Sequence, residues 1–159
     1  FVVGPDWSPP YQCPTHTALP LPFAINGRRY MIAADEDVVR QPDQVPAFMW
    51  MVDITDERHP VTVGSFQVEG IEGRPHPTMT ACHQPSEKLM GTEVPFAWFA
   101  HGLRIIDIAN PHAPREAAWY MPDVPPGCER LSSNDVTVDD HGLIYMTDRQ
   151  RGMVILERV

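Results

Sequence analysis

The chain has 159 residues and a formal net charge of −9, with 12 basic and 21 acidic residues. Lys88 is its single lysine and no basic cluster occurs, which argues against a nucleic-acid partner, because phosphate binding needs a basic face. No apolar run approaches the roughly 20 residues of a membrane span, and we expect none. The length is typical of a single domain with a real core.

Proline and hydrophobic residues are distributed in a way that favours short strands. Proline accounts for 18 of the 159 residues, about twice the average frequency, and it separates short hydrophobic runs. No long window carries apolar residues at the helical spacing. We therefore predict an all-β fold with many turns between short strands.

The first part of the chain predicts a four-stranded antiparallel meander. Asn26-Gly27 is a strong signal for a tight hairpin turn between the first two strands. The four predicted strands cover residues 18–24, 29–34, 48–54 and 61–66.

Two further units of the same kind follow. The second unit of the chain contains a hairpin whose turn is His101-Gly102. The start of this second unit is less well defined. The predicted strands of the second unit are 95–100, 103–108 and 115–121, and those of the third are 135–138, 143–147 and 153–157.

An internal repeat supports this division into units. The stretch FMWMVDITDERHP (residues 48–60) matches GLRIIDIANPHAP (residues 102–114) when it is shifted by 54 positions, and Asp53 then aligns with Asp107. A weaker copy, GMVILERV, occupies residues 152–159. Asp107 and Asn110 can accept hydrogen bonds from nearby backbone N–H groups, so we interpret the motif first as a structural turn. Repeated antiparallel units of this size are typical of β-propeller blades.

The repeats resemble those of the LVIVD-repeat β-propeller proteins. The resemblance rests on WMVDITDERHP, on GLRIIDIANPHAP and on SNDVTVDDHGLIYMTDRQRGMVILE, and it extends from His16 to the C-terminus. It implies one domain, residues 1–159, of about three four-stranded antiparallel blades with approximate bounds 12–75, 76–128 and 129–159. It implies a fold more firmly than a function.

Three blades are too few for a closed propeller, which typically has at least four. An open arc would leave long unpaired edges that invite aggregation. We therefore expect the chain to form part of a larger or multi-chain propeller, completed by other copies of itself or by a companion chain. The first residue, Phe1, favours truncation or cleavage of a longer protein.

A polar residue stands just before the first strand of each unit. These residues are His16, His83 and either Asn134 or Asp135. The innermost strands of a propeller line its channel, so these side chains are expected to converge at one mouth. Two histidines and a carboxylate could bind copper, zinc or iron, with His16, His83 and Asp135 as ligands. His76 is a weaker candidate. Any of Asp35, Glu36, Glu87 and Glu93 could orient a ligating histidine, and the spacing does not choose among them.

Other interpretations of these residues stay open. The polar side chains could simply cap strands and hold channel water. Cys82 stands beside His83, as a catalytic thiol stands near its base. However, neighbours in a strand point to opposite faces, so the two side chains are not expected to contact each other. Two function classes follow from the sequence: a non-enzymatic propeller that binds a protein partner or small ligand, and a metal-dependent oxidoreductase with its site at the channel mouth. The substrate and the cellular compartment are not assigned by the sequence.

Overall fold

The computed structural model describes residues 7–9, 14–36, 47–68 and 82–158. Within these ranges all regular structure is β: eleven strands form three antiparallel sheets, and no helix occurs. It follows that no helix in this part of the chain is long and apolar enough to cross a membrane.

Each sheet is a meander in which strands that are consecutive in sequence are neighbours. The first sheet contains β1 (Thr15–Pro20), β2 (Tyr30–Asp35), β3 (Met49–Asp53) and β4 (Val61–Phe66). The second contains β5 (Gln84–Pro85), β6 (Glu93–Ala97), β7 (Leu103–Asp107) and β8 (Arg115–Tyr120). The third contains β9 (Ser133–Val138), β10 (Ile144–Asp148) and β11 (Gly152–Leu156).

The sequence repeat occupies the same place in each sheet. Its three copies contain β3, β7 and β11, which are the third strands of their sheets. The matched strands β3 and β7 begin and end at aligned residues, and so do β4 and β8. The predicted all-β class and the antiparallel meanders are confirmed, while the third sheet has three strands among the described residues rather than the expected four.

The Asp and Asn residues that the repeat copies share form the turns that follow the strands, as predicted. Asp53 Oδ1 accepts a 2.9 Å hydrogen bond from Thr55 N, and Asp107 Oδ1 accepts one of 2.9 Å from Ala109 N. Asn110 Oδ1 accepts a third, of 3.2 Å, from His112 N. These bonds satisfy backbone donors where the strand ends.

The predicted Asn26-Gly27 hairpin turn is also present. Both residues have positive φ, 51° and 76°, which is the backbone that a two-residue hairpin turn of this type needs. Ile25 and Arg28 exchange two backbone hydrogen bonds of 3.0 Å around it. The turn starts the pairing of β1 with β2.

Successive sheets share hydrophobic cores. One cluster joins the first and second sheets and includes Ile32, Met51, Phe96 and Trp98, all fully buried. A second cluster joins the second and third sheets and includes Met146, also fully buried. Burying such side chains stabilises the fold by about 1.5–3 kcal/mol each relative to exposing them.

The first strands of the three sheets lie side by side. β1 contacts β5, and β5 contacts β9. Thr17 on β1 donates a 3.1 Å hydrogen bond to Gln84 Oε1 on β5. The residues at the beginning of each unit are thereby brought to one place.

Candidate functional site

His16 lies at an irregularity in β1. Thr15 pairs with Asp35 and Thr17 pairs with Ala34, so His16 is the extra residue of a β-bulge. Bulges re-aim side chains and are frequent beside functional sites. The His16 side chain is 37% exposed, and its Nδ1 lies 2.8 Å from Thr17 Oγ1.

Glu36 follows the last residue of β2, opposite the bulge. Its backbone N–H donates a 2.7 Å hydrogen bond to Pro14 O, which continues the pairing of the two strands. The neighbouring Asp35 is fully buried, and its carboxylate accepts bonds from Thr15 Oγ1 at 3.1 Å and from Trp50 Nε1 at 2.7 Å. Burial raises the pKa of Asp35, and these hydrogen bonds oppose the rise. Asp35 therefore joins three strands and fixes the chain at Glu36.

His83 precedes β5 and is almost completely enclosed. Its side chain is 8% exposed, and its backbone N–H donates a 3.2 Å hydrogen bond to Ala97 O on β6. Burial lowers the pKa of His83, although the hydrogen bond to Asn134 O and the charge of Glu36 act in the opposite direction. The net effect favours the neutral imidazole.

Asn134 is the extra residue of another bulge, on β9. Thr147 pairs with Asp135 and Asp148 pairs with Ser133, so Asn134 is left without a ladder partner. Its carbonyl oxygen lies 2.5 Å from His83 Nδ1. A carbonyl oxygen can only accept, so His83 Nδ1 carries the hydrogen and Nε2 carries the lone pair.

The same argument applies to His16. Thr17 Oγ1 uses its single hydrogen to donate to Gln84 Oε1, so it accepts from His16 Nδ1. The lone pair of His16 is then on Nε2 as well. Both Nε2 atoms point at one carboxylate: His83 Nε2 lies 3.3 Å from Glu36 Oε1, and His16 Nε2 lies 4.0 Å from Glu36 Oε2.

His16, Glu36 and His83 thus offer three ligand atoms that all lie within 4.8 Å of one another. In a tetrahedral zinc site the ligand atoms are roughly 3.3 Å apart, given bond lengths near 2.0–2.2 Å. The His83–Glu36 distance already meets this value, and His16 is the ligand that must approach. Its ring centroid is 4.4 Å from that of His83.

The other candidates from the sequence fall elsewhere. Asp135 is exposed, its Oδ1 accepts a 2.8 Å bond from Val136 N, and it is not among the three clustered ligands. His76 lies outside the described residues. Cys82 is fully buried, which raises the pKa of its thiol well above the ordinary value, so a nucleophilic role is disfavoured.

Glu36 is the member of this cluster that sequence reasoning did not select as a ligand, since it was considered only as an orienting partner. The hairpin turn contained part of the signal. Counting outward from the Ile25–Arg28 pair places His16 opposite a position two residues beyond Asp35, so the antiparallel turn predicts that the end of β2 lies near His16. The observed register and the bulge at His16, which are not visible in the sequence, then place Glu36 there.

A polar pocket of about 420 Å³ adjoins the cluster. His83 forms part of its wall together with Gln84, Glu87, Asn134 and Asp135, and the adjoining β9 residues Val136 and Thr137 complete it. A small ligand in this pocket would lie directly beside His83.

Phe99 packs against the His83 ring. The two ring centroids are 4.7 Å apart, and Phe99 is fully buried. The guanidinium carbon of Arg149 lies 5.4 Å from the centre of the Phe99 ring. Phe99 therefore contacts both His83 and Arg149.

No family model matches this chain, and no curated protein matches it either. The resemblance to LVIVD-repeat proteins accordingly stays a prediction that rests on the repeat residues. The fold class itself, all-β with three antiparallel sheets, is established by the strand pairing.

Proposed function

We propose that this protein is a β-propeller-type scaffold that binds a divalent transition metal ion through His16 Nε2, His83 Nε2 and the Glu36 carboxylate. The observation that carries the proposal is the fixed orientation of both imidazoles, whose Nδ1 atoms donate to Asn134 O and Thr17 Oγ1. Metal-ligating histidines almost always donate their second nitrogen in this way. Two histidines and one carboxylate suit zinc, copper or iron.

A metal also explains a contact that is otherwise unfavourable. His83 Nε2 and Glu36 Oε1 are two acceptors at 3.3 Å. They need a cation or a proton between them, because facing lone pairs repel. Burial opposes the protonation of His83, since it lowers the pKa of that imidazole. A protonated His83 paired with Glu36 is the competing explanation, and it predicts no selective metal binding.

The scaffold part of the proposal extends the three sheets to a propeller. It is supported by the meander order, by the adjacent first strands β1, β5 and β9, and by cores shared between successive sheets. We propose that further copies of this chain, or a companion chain, complete the ring. Met153 and Ile155 on β11 are 58% and 53% exposed, as expected for a face that a further blade would cover.

With three protein ligands, the metal would keep at least one coordination position for water or substrate, as catalytic sites do. His16 is the exposed ligand, so access to the ion would be from its side. A metal-dependent oxidoreductase and a non-enzymatic binding platform both use such an opening. The polar pocket of about 420 Å³ beside His83 favours a small ligand over a protein as the bound species.

The test is a titration of the metal-free chain with Zn²⁺, Cu²⁺ and Fe²⁺, followed by calorimetry and by metal analysis. His16→Ala and Glu36→Gln should weaken binding by more than the roughly 10–100-fold that is typical of losing an outer-shell partner. The controls are His112→Ala and Glu129→Gln, since both residues are exposed and lie outside the cluster. The proposal would be contradicted if the wild type bound these metal ions no more tightly than the His16→Ala variant.

A further inference from the structure

The third sheet lacks an outer strand that the other two sheets have. In those sheets the third strand, β3 or β7, pairs with a fourth strand, β4 or β8. The corresponding strand β11 pairs only with β10 among the described residues. The other edge of β11 therefore carries unpaired backbone N–H and C=O groups, which can form hydrogen bonds with the backbone of another strand.

The free edge of β11 has none of the features that usually keep exposed strands apart. The strand contains no charged residue and no proline, and its pairing with β10 runs without a register shift. The outer strands of the other two sheets differ in this respect. The ladders of β4 and β8 are each interrupted by a register shift, and β8 begins with Arg115 and Glu116. Of these three outer edges, that of β11 is the most open to pairing, because charges and bulges discourage association at an edge.

The side chains of β11 alternate between its own core and the free surface. Val154 and Leu156 pack against the core that the second and third sheets share. Met153 and Ile155 point to the opposite face, where they are 58% and 53% exposed. The strand is thus held in place by its own sheet while it presents two apolar side chains beside an open edge.

Opposite charges flank this strand. Arg151 precedes it and Glu157 follows it; both are exposed, and neither makes an ion pair in the described part of the chain. An antiparallel pair of β11 strands centred on Val154 would place Arg151 of one copy opposite Glu157 of the other, once at each end. A parallel pair in the same register would bring like charges together, which is unfavourable. The partner that the charges fit is therefore a second copy of the chain in antiparallel orientation.

We infer that two copies of this chain associate through their β11 edges about a two-fold axis, so that two three-stranded sheets become one of six strands. In this register Met153 lies directly opposite Ile155 of the second copy, and four exposed apolar side chains come together on one face. A contact of this kind is self-complementary, as the interfaces of two-fold dimers are. The inference does not depend on the metal site, and it identifies a contact through which copies of the chain meet.

Sedimentation equilibrium of the full chain over a range of concentrations measures this association. The wild type should form a dimer that dissociates on dilution. Arg151→Glu and Glu157→Arg should each weaken the dimer by about tenfold, because each reversal converts two attractive charge pairs per dimer into two repulsive ones. The double variant Arg151→Glu/Glu157→Arg should recover the wild-type affinity, since both pairs are then attractive again.

Glu129→Arg is the matched control variant, because it reverses the charge of an exposed residue outside β11 and should dimerise as the wild type does. Ile155→Lys should stay monomeric at the same concentrations, since a lysine at an exposed edge prevents pairing. Circular dichroism verifies that each variant keeps its strands. A wild type that stays monomeric at every concentration overturns the inference. A dimer whose affinity the single charge reversals leave unchanged overturns it as well, because the copies would then meet through another surface.

Discussion

His83 Nδ1 donates a 2.5 Å hydrogen bond to the carbonyl oxygen of Asn134, which joins the start of the second sheet to a bulge in the third. The bulge is what makes the acceptor available, because Asn134 has no ladder partner. The hydrogen bond fixes the imidazole tautomer and directs Nε2 at Glu36.

The first prediction concerns this tautomer. In the metal-free chain near pH 8, the neutral His83 ring should carry its hydrogen on Nδ1. Long-range proton–nitrogen NMR of the imidazole groups distinguishes the two nitrogens directly. The exposed His112 serves as an internal reference. If His83 instead carried its hydrogen on Nε2, that nitrogen would have no lone pair for a metal ion, and the proposed metal site would lose its main support.

The second prediction tests the packing between the first two sheets. A Cβ on Gly64 would overlap the carbonyl oxygen of Pro111 and lie 3.2 Å from Pro114 Cδ. Backbone cannot retreat as a flexible side chain can, so Gly64→Ala should lower the free energy of unfolding by about 1–3 kcal/mol. Gly91→Ala is the control, because a Cβ there meets nothing within 4 Å.

Chemical denaturation of the two glycine variants measures the difference. Gly91→Ala should stay within roughly 0.5 kcal/mol of the wild type, as most open surface positions do. Equal loss in both variants would mean that the turn at Pro111 does not lie against β4 in solution.

The repeat explains why this much of the fold could be predicted. A match between Asp53 and Asp107 places two strands and two turns at once, and β3, β4, β7 and β8 begin and end at aligned residues. The strand β5 was missed because it has two residues, one of them a proline. Neither its length nor its composition distinguishes it from a loop.

The candidate site was less accessible to sequence reasoning. The sequence predicted that His16 and His83 precede the first strands of their units. In the structure His16 lies within β1 and His83 precedes β5, and these adjacent strands bring the two rings together. The sequence named Asp135 as a third ligand and Glu36 only as an orienting residue, whereas the structure places Glu36 beside both imidazoles. That placement depends on the bulge at His16, which shifts the register of β1 against β2 by one residue. A bulge has no reliable sequence signal, although it changes which side chain points inward.

The third prediction concerns the Asx turn of the repeat. Asp107 accepts a hydrogen bond from Ala109 N at 2.9 Å and pairs with Arg115 at 2.9 Å. Asp107→Ala should lower the free energy of unfolding by about 1 kcal/mol, since a turn hydrogen bond is lost. Asp107→Asn keeps an acceptor for the turn and should lose less. Asp123→Ala, at an exposed position, is the control for thermal denaturation.

The fourth prediction is a pH dependence that originates at the same residue. The hydrogen bond from Ala109 N, opposed by burial and assisted by Arg115, holds the pKa of Asp107 below its ordinary value of 3.8. The unfolded chain then binds this proton more tightly, so the contribution of Asp107 to stability is present above pH 3.8 and is lost as the pH falls through the lower folded value. Unfolding measured across that range should depend less on pH in Asp107→Asn than in the wild type. Parallel pH profiles for the two proteins would contradict the assignment.

The fifth prediction separates the cysteines by their surroundings. Cys82 is fully buried, and burial raises the pKa of its thiol, so it should not react with iodoacetamide in the native state. Cys128 is only partly buried and should react. A Cys13→Ser background removes the third thiol, and peptide mass spectrometry then locates the label. Rapid labelling of Cys82 in the native state would contradict this prediction, and Cys82 would then be a candidate nucleophile beside His83. Labelling of Cys82 only after denaturation would leave the imidazoles and Glu36 as the groups available for chemistry there.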